Sequence, residues 1–129
     1  MKTLLIMRHA KSSWGEDGLS DYERPLNHRG QLDAPRMGRF LASMELHPEA
    51  VLTSSAVRAH TTAIATVEAA QWDVSVDPND GLYLATPQEF RKLLKALSDS
   101  VSTVLMVGHN PGVAELVSAL TGEFVAMPT

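Results

Sequence analysis

Short apolar runs alternate along this chain with longer segments in which apolar residues recur every three or four positions. That alternation is typical of α/β proteins, in which buried parallel strands are connected by helices. It therefore predicts a mostly parallel sheet with helices on both of its faces. The predicted strands are residues 3–8, 50–53, 73–76 and 103–108.

The predicted helices carry recognisable start signals. Thr86, Pro87 and Glu89 provide an N-cap, a first-turn proline and a capping-box acid for one helix. Asn110 is expected to cap another helix, with Pro111 in its first turn. The residues expected on the buried faces are Met37, Phe40, Leu41 and Met44 in the first helix, Val57, Ile64 and Val67 in the second, Phe90, Leu93, Leu94 and Leu97 in the third, and Val113, Leu116, Val117 and Leu120 in the fourth.

Composition excludes several classes of protein. At 129 residues the chain is long enough for one hydrophobic core, so we expect a single domain over residues 1–129. A formal net charge of −4 argues against nucleic-acid binding. The absence of cysteine excludes disulfides, thiolate nucleophiles and cysteine-based zinc sites. The N-terminal apolar run is too short for a signal peptide or a membrane span, so we expect a cytoplasmic protein without membrane association, and we expect a monomer.

Two arginines and two histidines follow predicted strands. Arg8 and His9 end the first apolar run, Arg58 comes shortly after the second, and His109 follows the fourth. Ligands of open α/β sheets bind beyond the carboxyl ends of the strands, so we expect these four side chains in one pocket at the ends of strands one and four. The residues expected at the rim of this pocket are Lys11, Ser12 and Asp80.

This set of side chains suits phosphoryl transfer. Arginine stays protonated and donates paired hydrogen bonds to phosphate oxygens, so Arg8 and Arg58 are candidate phosphate ligands. A histidine that is neutral near pH 7 can attack phosphorus through a ring nitrogen and form a phosphohistidine. Of His9 and His109, one would attack while the other, protonated, donates a hydrogen bond to the transferring group. The N-terminus of the helix after His109 adds backbone N–H groups that attract an anion.

A metal site built on His9 and His109 is the competing interpretation. Neither residue has a histidine or carboxylate at the spacing of hydrolytic metal sites, so we expect no metal and no cofactor. Trp14 is expected to brace the loop of residues 12–27 or to meet a partner. Other polar residues are expected in supporting roles: His28, His47 and His60 as ordinary surface or partly buried residues, Arg24 and Arg29 in local salt bridges, and Asp21 in a turn.

The motifs resemble those of the histidine phosphatase superfamily over nearly the whole chain. Residues 8–14 (RHAKSSW) are similar to its first motif, and Arg58 and His109 match its later arginine and histidine in order. The resemblance implies a phosphoglycerate mutase-like fold, His9 as the nucleophile, and a phosphate pocket completed by Arg8, Arg58 and His109. The segments that are similar to small phosphohistidine phosphatases of the SixA type are residues 21–30 (DYERPLNHRG), 53–59 (TSSAVRA) and 107–112 (VGHNPG).

Two departures from the mutase-like pattern bear on the substrate. Gly15 stands where that pattern has an asparagine that helps to hold phosphate, and residues 77–83 contain Asp80 but no glutamate to serve as general acid. An alkoxide leaving group needs a proton, whereas imidazole can leave a phosphoramidate already carrying one. We therefore predict a metal-independent phosphatase that removes phosphate from phosphohistidine in a partner protein. The alternatives are a small-molecule phosphomonoesterase that uses Asp80 or another carboxylate as acid, and a non-catalytic phosphate-binding module.

The end of the sequence also departs from the resemblance. Relatives of the SixA type usually continue beyond the position of Thr129 into a further strand along the sheet edge. We expect the sheet to have an unpaired edge if that strand is missing.

Overall fold

Strands and helices alternate along residues 2–14 and 18–129, which are the residues that this computed structural model describes. The elements in chain order are β1 (Thr3–Arg8), α1 (His28–Ser43), β2 (Ala50–Ser54), α2 (Val57–Ala70), β3 (Val76–Asn79), a short 3₁₀ helix (Asp80–Leu82), α3 (Pro87–Lys95), β4 (Thr103–Gly108) and α4 (Gly112–Thr121).

The four strands form one parallel sheet in the order β1-β4-β2-β3. Side chains of the central strand β4 alternate between two apolar cores, because successive residues of a strand point to opposite faces. Leu105 and Val107 pack in the core formed with α1 and α2, whereas Val104 and Met106 pack in the core formed with α3 and α4. The prediction of a mostly parallel sheet flanked by helices on both faces is confirmed.

Three predicted strands match the structure closely, but the third was misplaced. Residues 73–76 were expected to form it, whereas β3 begins at Val76 and continues through Asp77, Pro78 and Asn79. Pairing explains the shift, since β3 is aligned with β2 from Val51 opposite Val76 to Ser54 opposite Asn79. β3 lies at the edge of the sheet, where a proline and polar residues are tolerated because one side of the strand needs no backbone partner.

The predictions for α3 and α4 are largely confirmed. Thr86 and Glu89 form the expected reciprocal capping box, with Pro87 at the first position of α3. The start of α4 differs by one residue, because Pro111 occupies the N-cap position. The side chain of Asn110 accepts a hydrogen bond from the backbone N–H of Ala114 at 3.2 Å instead of capping the helix from the N-cap position. Leu97 packs against the core as expected, although it lies beyond the end of α3. Leu120, which was also expected to be buried, is exposed.

The buried faces of α1 and α2 were predicted only in part: Val67 is in the core and Leu41 packs against it, but the other expected residues are exposed. Met37 and Phe40 of α1 are exposed, as are Met44 at its C-cap and Val57 and Ile64 of α2. The helices approach each other so closely that a Cβ atom at Gly38 would lie 2.2 Å from the carbonyl oxygen of Thr66. Such an approach requires small residues in the interface, and large side chains are displaced to its margins. The residues buried along these two helices are Gly30, Ala34 and Gly38 of α1 and Arg58, Ala59, Thr62, Ala63, Thr66, Val67 and Ala70 of α2.

The segment after α4 follows the edge of the sheet without pairing to it. Within the described residues, β1 is paired with β4 alone, and residues 123–129 form no strand. Val125 and Met127 line a cavity together with Leu4 and Ile6 of β1. The backbone carbonyl of Met127 accepts hydrogen bonds from Arg8 and Asn110, both at 3.0 Å.

Candidate active site

A cavity of about 330 Å³ opens at the carboxyl ends of β1, β4 and β2. The backbone N–H of His9 donates to the carbonyl of Gly108 at 3.0 Å and so continues the β1–β4 ladder to the edge of this cavity. The loop between β1 and α1 covers one side of it. The cavity is lined by the four residues expected there, Arg8, His9, Arg58 and His109, and also by Lys11, Ser12, Trp14, Asp21, Arg24, Leu84, Asn110 and Thr129.

His9 is held in one tautomer by hydrogen bonds at both ring nitrogens. The imidazole is 7% exposed, and its Nδ1 lies 2.7 Å from the carbonyl oxygen of Ala10, which can only accept a hydrogen bond. The Nε of Arg58 donates to His9 Nε2 at 3.3 Å. Nδ1 therefore carries the proton, and Nε2 presents its lone pair.

The electrostatic surroundings of His9 keep this ring neutral. Burial, together with the positive charges of Arg58, Arg8 and Arg24, lowers the pKa of His9 to about 4, although the hydrogen bond to the Ala10 carbonyl acts in the opposite direction. At neutral pH the ring therefore retains the unprotonated nitrogen that a nucleophile needs.

His109 lies beside His9, with ring centroids 5.2 Å apart. Its Nε2 is 2.7 Å from the hydroxyl of Ser54, whose oxygen also accepts a hydrogen bond from the backbone N–H of Ala56 at 3.2 Å. In the tautomer in which the Ser54 hydroxyl donates to Nε2, the proton of a neutral His109 is on Nδ1. That nitrogen is buried and has no hydrogen-bond partner within residues 2–14 and 18–129.

The expectation that the second histidine is protonated differs from the structure. Burial, the charge of Arg58 and the neighbouring His9 lower the pKa of His109 to about 3. The neutral ring can still donate a hydrogen bond through Nδ1–H, so donation to an anion does not require an imidazolium ion.

Arg58 is 3% exposed and is fixed by the loop that covers the cavity. Its Nη1 donates to the backbone carbonyl of Asp21 at 2.5 Å, and its Nη2 donates to the Asp21 carboxylate at 3.0 Å. Arginine has five N–H donors, and these two bonds and the bond to His9 use three of them. Arg8 donates through Nη1 to Met127, while its buried Nε has no partner in the described part of the chain.

Sequence analysis placed Asp21 in a turn and did not identify it as a residue of this site. Its carboxylate accepts hydrogen bonds from Arg58, from Arg24 at 2.8 Å and from the Tyr83 hydroxyl at 2.6 Å. The Tyr83 hydrogen bond, followed by those from Arg58 and Arg24, holds the pKa of Asp21 well below its usual range. The sequence signal was the acid–base pair of Asp21 and Arg24 at a spacing of three in the loop over the sheet edge, but Tyr83 is 62 positions away from Asp21.

Arg24 fixes the loop, as expected, and also lines the cavity. Its Nη2 donates to the Ser12 hydroxyl at 2.5 Å, and its Nε donates to the Ser13 carbonyl at 3.0 Å. Its guanidinium lies 3.3 Å from the centroid of the Trp14 ring. Arg29 forms the expected local salt bridge, with Asp33 at 3.2 Å.

Asp80 does not line this cavity, contrary to expectation. Its carboxylate is exposed and accepts a hydrogen bond from the Ser55 hydroxyl at the start of the 3₁₀ helix. The expected rim residues Lys11 and Ser12 do line the cavity. His28 and His47 are exposed and His60 is half-buried, and all three lie outside the lining. Gly15 falls outside the described residues.

No group of three or more histidine, aspartate or glutamate side chains within residues 2–14 and 18–129 is arranged to hold a metal ion. None of the helices in the same ranges has both the length and the apolar character needed to cross a membrane.

The chain is similar to a family model and to several known proteins. The family model of the histidine phosphatase superfamily (branch 1) matches residues 4–82. An uncharacterized chloroplastic protein of Arabidopsis thaliana is 30% identical over 99% of this chain, which spans 63% of that relative. A SixA protein from Agrobacterium tumefaciens has a TM-score of 0.88 at 30% identity, over 95% of this chain and 79% of that one. The protein histidine phosphatase SixA in complex with tungstate has a TM-score of 0.85 at 29% identity, over 98% of this chain and 81% of that one.

The chain therefore belongs to the histidine phosphatase superfamily. Its phosphoglycerate mutase-like fold and its similarity to SixA proteins, which the sequence motifs implied, are confirmed.

Proposed function

We propose that this protein is a metal-independent phosphohistidine phosphatase that forms a covalent phosphoenzyme on His9. The observation that carries the proposal is the state of the His9 ring. It is buried and neutral, and the hydrogen bonds with Ala10 and Arg58 fix its tautomer, so that Nε2 is the unprotonated nitrogen. Arg8, Arg58 and the Nδ1–H of His109 supply the positive charge and the donors that a phosphoryl group requires.

The first chemical step transfers the phosphoryl group from the substrate to the enzyme. The Nε–H of Arg58 turns from His9 Nε2 to a phosphoryl oxygen, which frees the Nε2 lone pair. His9 Nε2 then attacks phosphorus, a new P–N bond forms, and the P–N bond to the substrate imidazole breaks. The bonding electron pair goes to the substrate ring nitrogen. Because the other nitrogen of that ring is already protonated, the ring leaves as neutral imidazole and needs no general acid.

The second step regenerates the enzyme. Water attacks the phosphorus of phospho-His9, the P–Nε2 bond breaks, and its electron pair returns to His9 Nε2. The phosphate that leaves retains both hydrogens of the water as H₂PO₄⁻. The proton on His9 Nδ1 remains bonded to the Ala10 carbonyl throughout, so the ring returns to its starting tautomer.

The carboxylates near the site favour a phosphoramidate over a phosphate ester. Asp21 lines the cavity, but three donors keep it ionised, so it has no proton to give to an alkoxide. Asp80, the other candidate acid, lies outside the cavity lining. The similarity to a protein histidine phosphatase supports the same substrate class, and the bound tungstate of that protein is a tetrahedral oxyanion like phosphate.

The test is a comparison of substrates on the purified chain. We expect the kcat/KM for a phosphohistidine-containing phosphotransfer protein to exceed that for sugar phosphates and p-nitrophenyl phosphate by at least about 100-fold. An acid-labile phosphoenzyme should accumulate when the reaction is quenched in alkali. Faster hydrolysis of the esters would identify a phosphomonoesterase instead, and binding without turnover would identify a phosphate-binding module.

A further inference from the structure

Trp14 and Leu84 are two large apolar side chains at the cavity that the proposed chemistry does not use. Trp14 is 78% exposed and Leu84 is 56% exposed, yet both line the cavity that contains His9 and His109. Leu84 also has a φ of 51°, a left-handed conformation that is uncommon for a residue other than glycine. Strained backbone of this kind concentrates at functional sites.

The Trp14 ring is held in place by Arg24. The Arg24 guanidinium lies 3.3 Å from the ring centroid and is fixed by its bonds to Ser12, Ser13 and Asp21. A cation over an aromatic face is favourable, and an anchored arginine restricts the motion of an otherwise exposed ring. Trp14 is therefore an exposed aromatic surface with a defined position at the mouth of the cavity.

Trp14 and Arg24 lie between the main cavity and a second one. Trp14, Asp21 and Arg24 line both, and the second cavity, of about 200 Å³, is completed by Ser13, Leu19 and Pro25. The buried histidines and arginines bind the phosphoryl group, so the rest of the substrate must extend through the mouth. A bound substrate that extends in this direction passes the Trp14 ring and reaches the second cavity, which is partly apolar.

We infer that Trp14 is a specificity-determining residue whose ring contacts the leaving group and favours a flat aromatic one, such as the imidazole of phosphohistidine, over a small one. The inference rests on the proposed function and adds the part of the site that distinguishes between substrates. The second cavity then accommodates the chain that flanks the phosphohistidine.

A comparison of two phosphoramidate substrates distinguishes an effect on the leaving group from an effect on phosphoryl transfer. Phosphoramidate releases ammonia and phosphoimidazole releases a ring, but both break a P–N bond. We expect Trp14→Ala to lower the kcat/KM for phosphoimidazole about tenfold, the size of one ring-stacking contact, and to change that for phosphoramidate by less than about twofold. Trp14→Phe should restore most of the loss. Leu120→Ala, which truncates an exposed apolar side chain of α4 outside the cavity, is the matched control.

An equal loss on both substrates would overturn the inference, because it would mean that Trp14 acts only by supporting Arg24. Unchanged kinetics on both would overturn it as well. If the unaltered enzyme hydrolysed esters but neither phosphoramidate, the proposed function would fail separately. The role of Trp14 would then be decided by p-nitrophenyl phosphate against ethyl phosphate, where only a selective loss on the aryl ester supports it.

Discussion

The side chains at the deep end of the cavity and those at its mouth differ in how far they are buried and in how they are held. At the deep end, His9, Arg58 and His109 are almost completely buried, and each is fixed by a hydrogen bond to another part of the chain. At the mouth, Trp14 and Leu84 expose most of their apolar surface. Charge that develops in a reaction is stabilised best by groups that are fixed and shielded from water, whereas recognition of a leaving group requires accessible surface. Changes at the deep end should therefore affect every substrate, and changes at the mouth should depend on the substrate.

The largest effect is expected at His9. His9→Asn removes the attacking nitrogen while keeping a polar side chain of similar size, so turnover of every substrate should fall by at least about 10³-fold. Steady-state rates and quenched phosphoenzyme assays measure this directly. The matched control is His60→Asn, which replaces a half-buried histidine of α2 outside the cavity and should retain turnover within about twofold. If His9→Asn kept a tenth of the activity, the nucleophile would have to be another residue.

A smaller effect, again on every substrate, is expected at Asp21. The carboxylate binds Arg58 and lies between the deep end and the mouth. Asp21→Asn removes its negative charge and weakens the anchoring of Arg58, so we expect kcat to fall about 10- to 100-fold on phosphoramidate and phosphoimidazole alike.

Asp80→Asn is the matched control for Asp21, since it neutralises an exposed carboxylate that lies outside the cavity lining. Its kinetics should stay within about twofold of the unaltered enzyme. A selective loss of ester hydrolysis in Asp80→Asn would instead identify Asp80 as a general acid and would favour the phosphomonoesterase alternative. If Asp21→Asn lowered activity on only one of the two substrates, Asp21 would act in recognition of the leaving group, as proposed for the residues at the mouth.

The sequence predicted the deep end of the cavity much better than its surroundings. Arg8, His9 and His109 follow strands whose apolar runs are unambiguous, and parallel strands bring their carboxyl ends to one edge. The anchoring of Arg58 by Asp21 was missed because it depends on how a long loop folds back over the sheet. No pattern in the neighbouring sequence predicts that Tyr83 contacts that loop.

The errors in α1 and α2 have a related cause. Periodicity identifies apolar positions, and the large ones were expected to be buried. Whether a helix buries large or small residues depends on the distance to its neighbour, which Gly38 sets here by its contact with Thr66. The misplaced β3 shows the same limit, because its register is determined by pairing with β2 and its own residues are largely polar.

A pH dependence of stability also separates the deep end from the mouth. The pKa values of His9 and His109 are about 4 and about 3 in the folded protein, below the value of 6.5 for an unperturbed histidine. Between these values the unfolded chain binds more protons, so stability falls as the pH decreases below about 6.5. From pH 7 to pH 5 the free energy of unfolding should drop by about 1 to 2 kcal/mol for each histidine.

Denaturant unfolding at the two pH values measures this drop. His9→Asn should reduce it, and the mouth variant Trp14→Ala should leave it unchanged. The Asp21 carboxylate does not interfere, because its contribution to stability is fully present above the unperturbed pKa of 3.8 and is lost only at more acidic pH. An unfolding free energy that is equal at pH 7 and pH 5 would mean that both rings accept protons in the folded state, and the neutral nucleophile would lose its electrostatic basis.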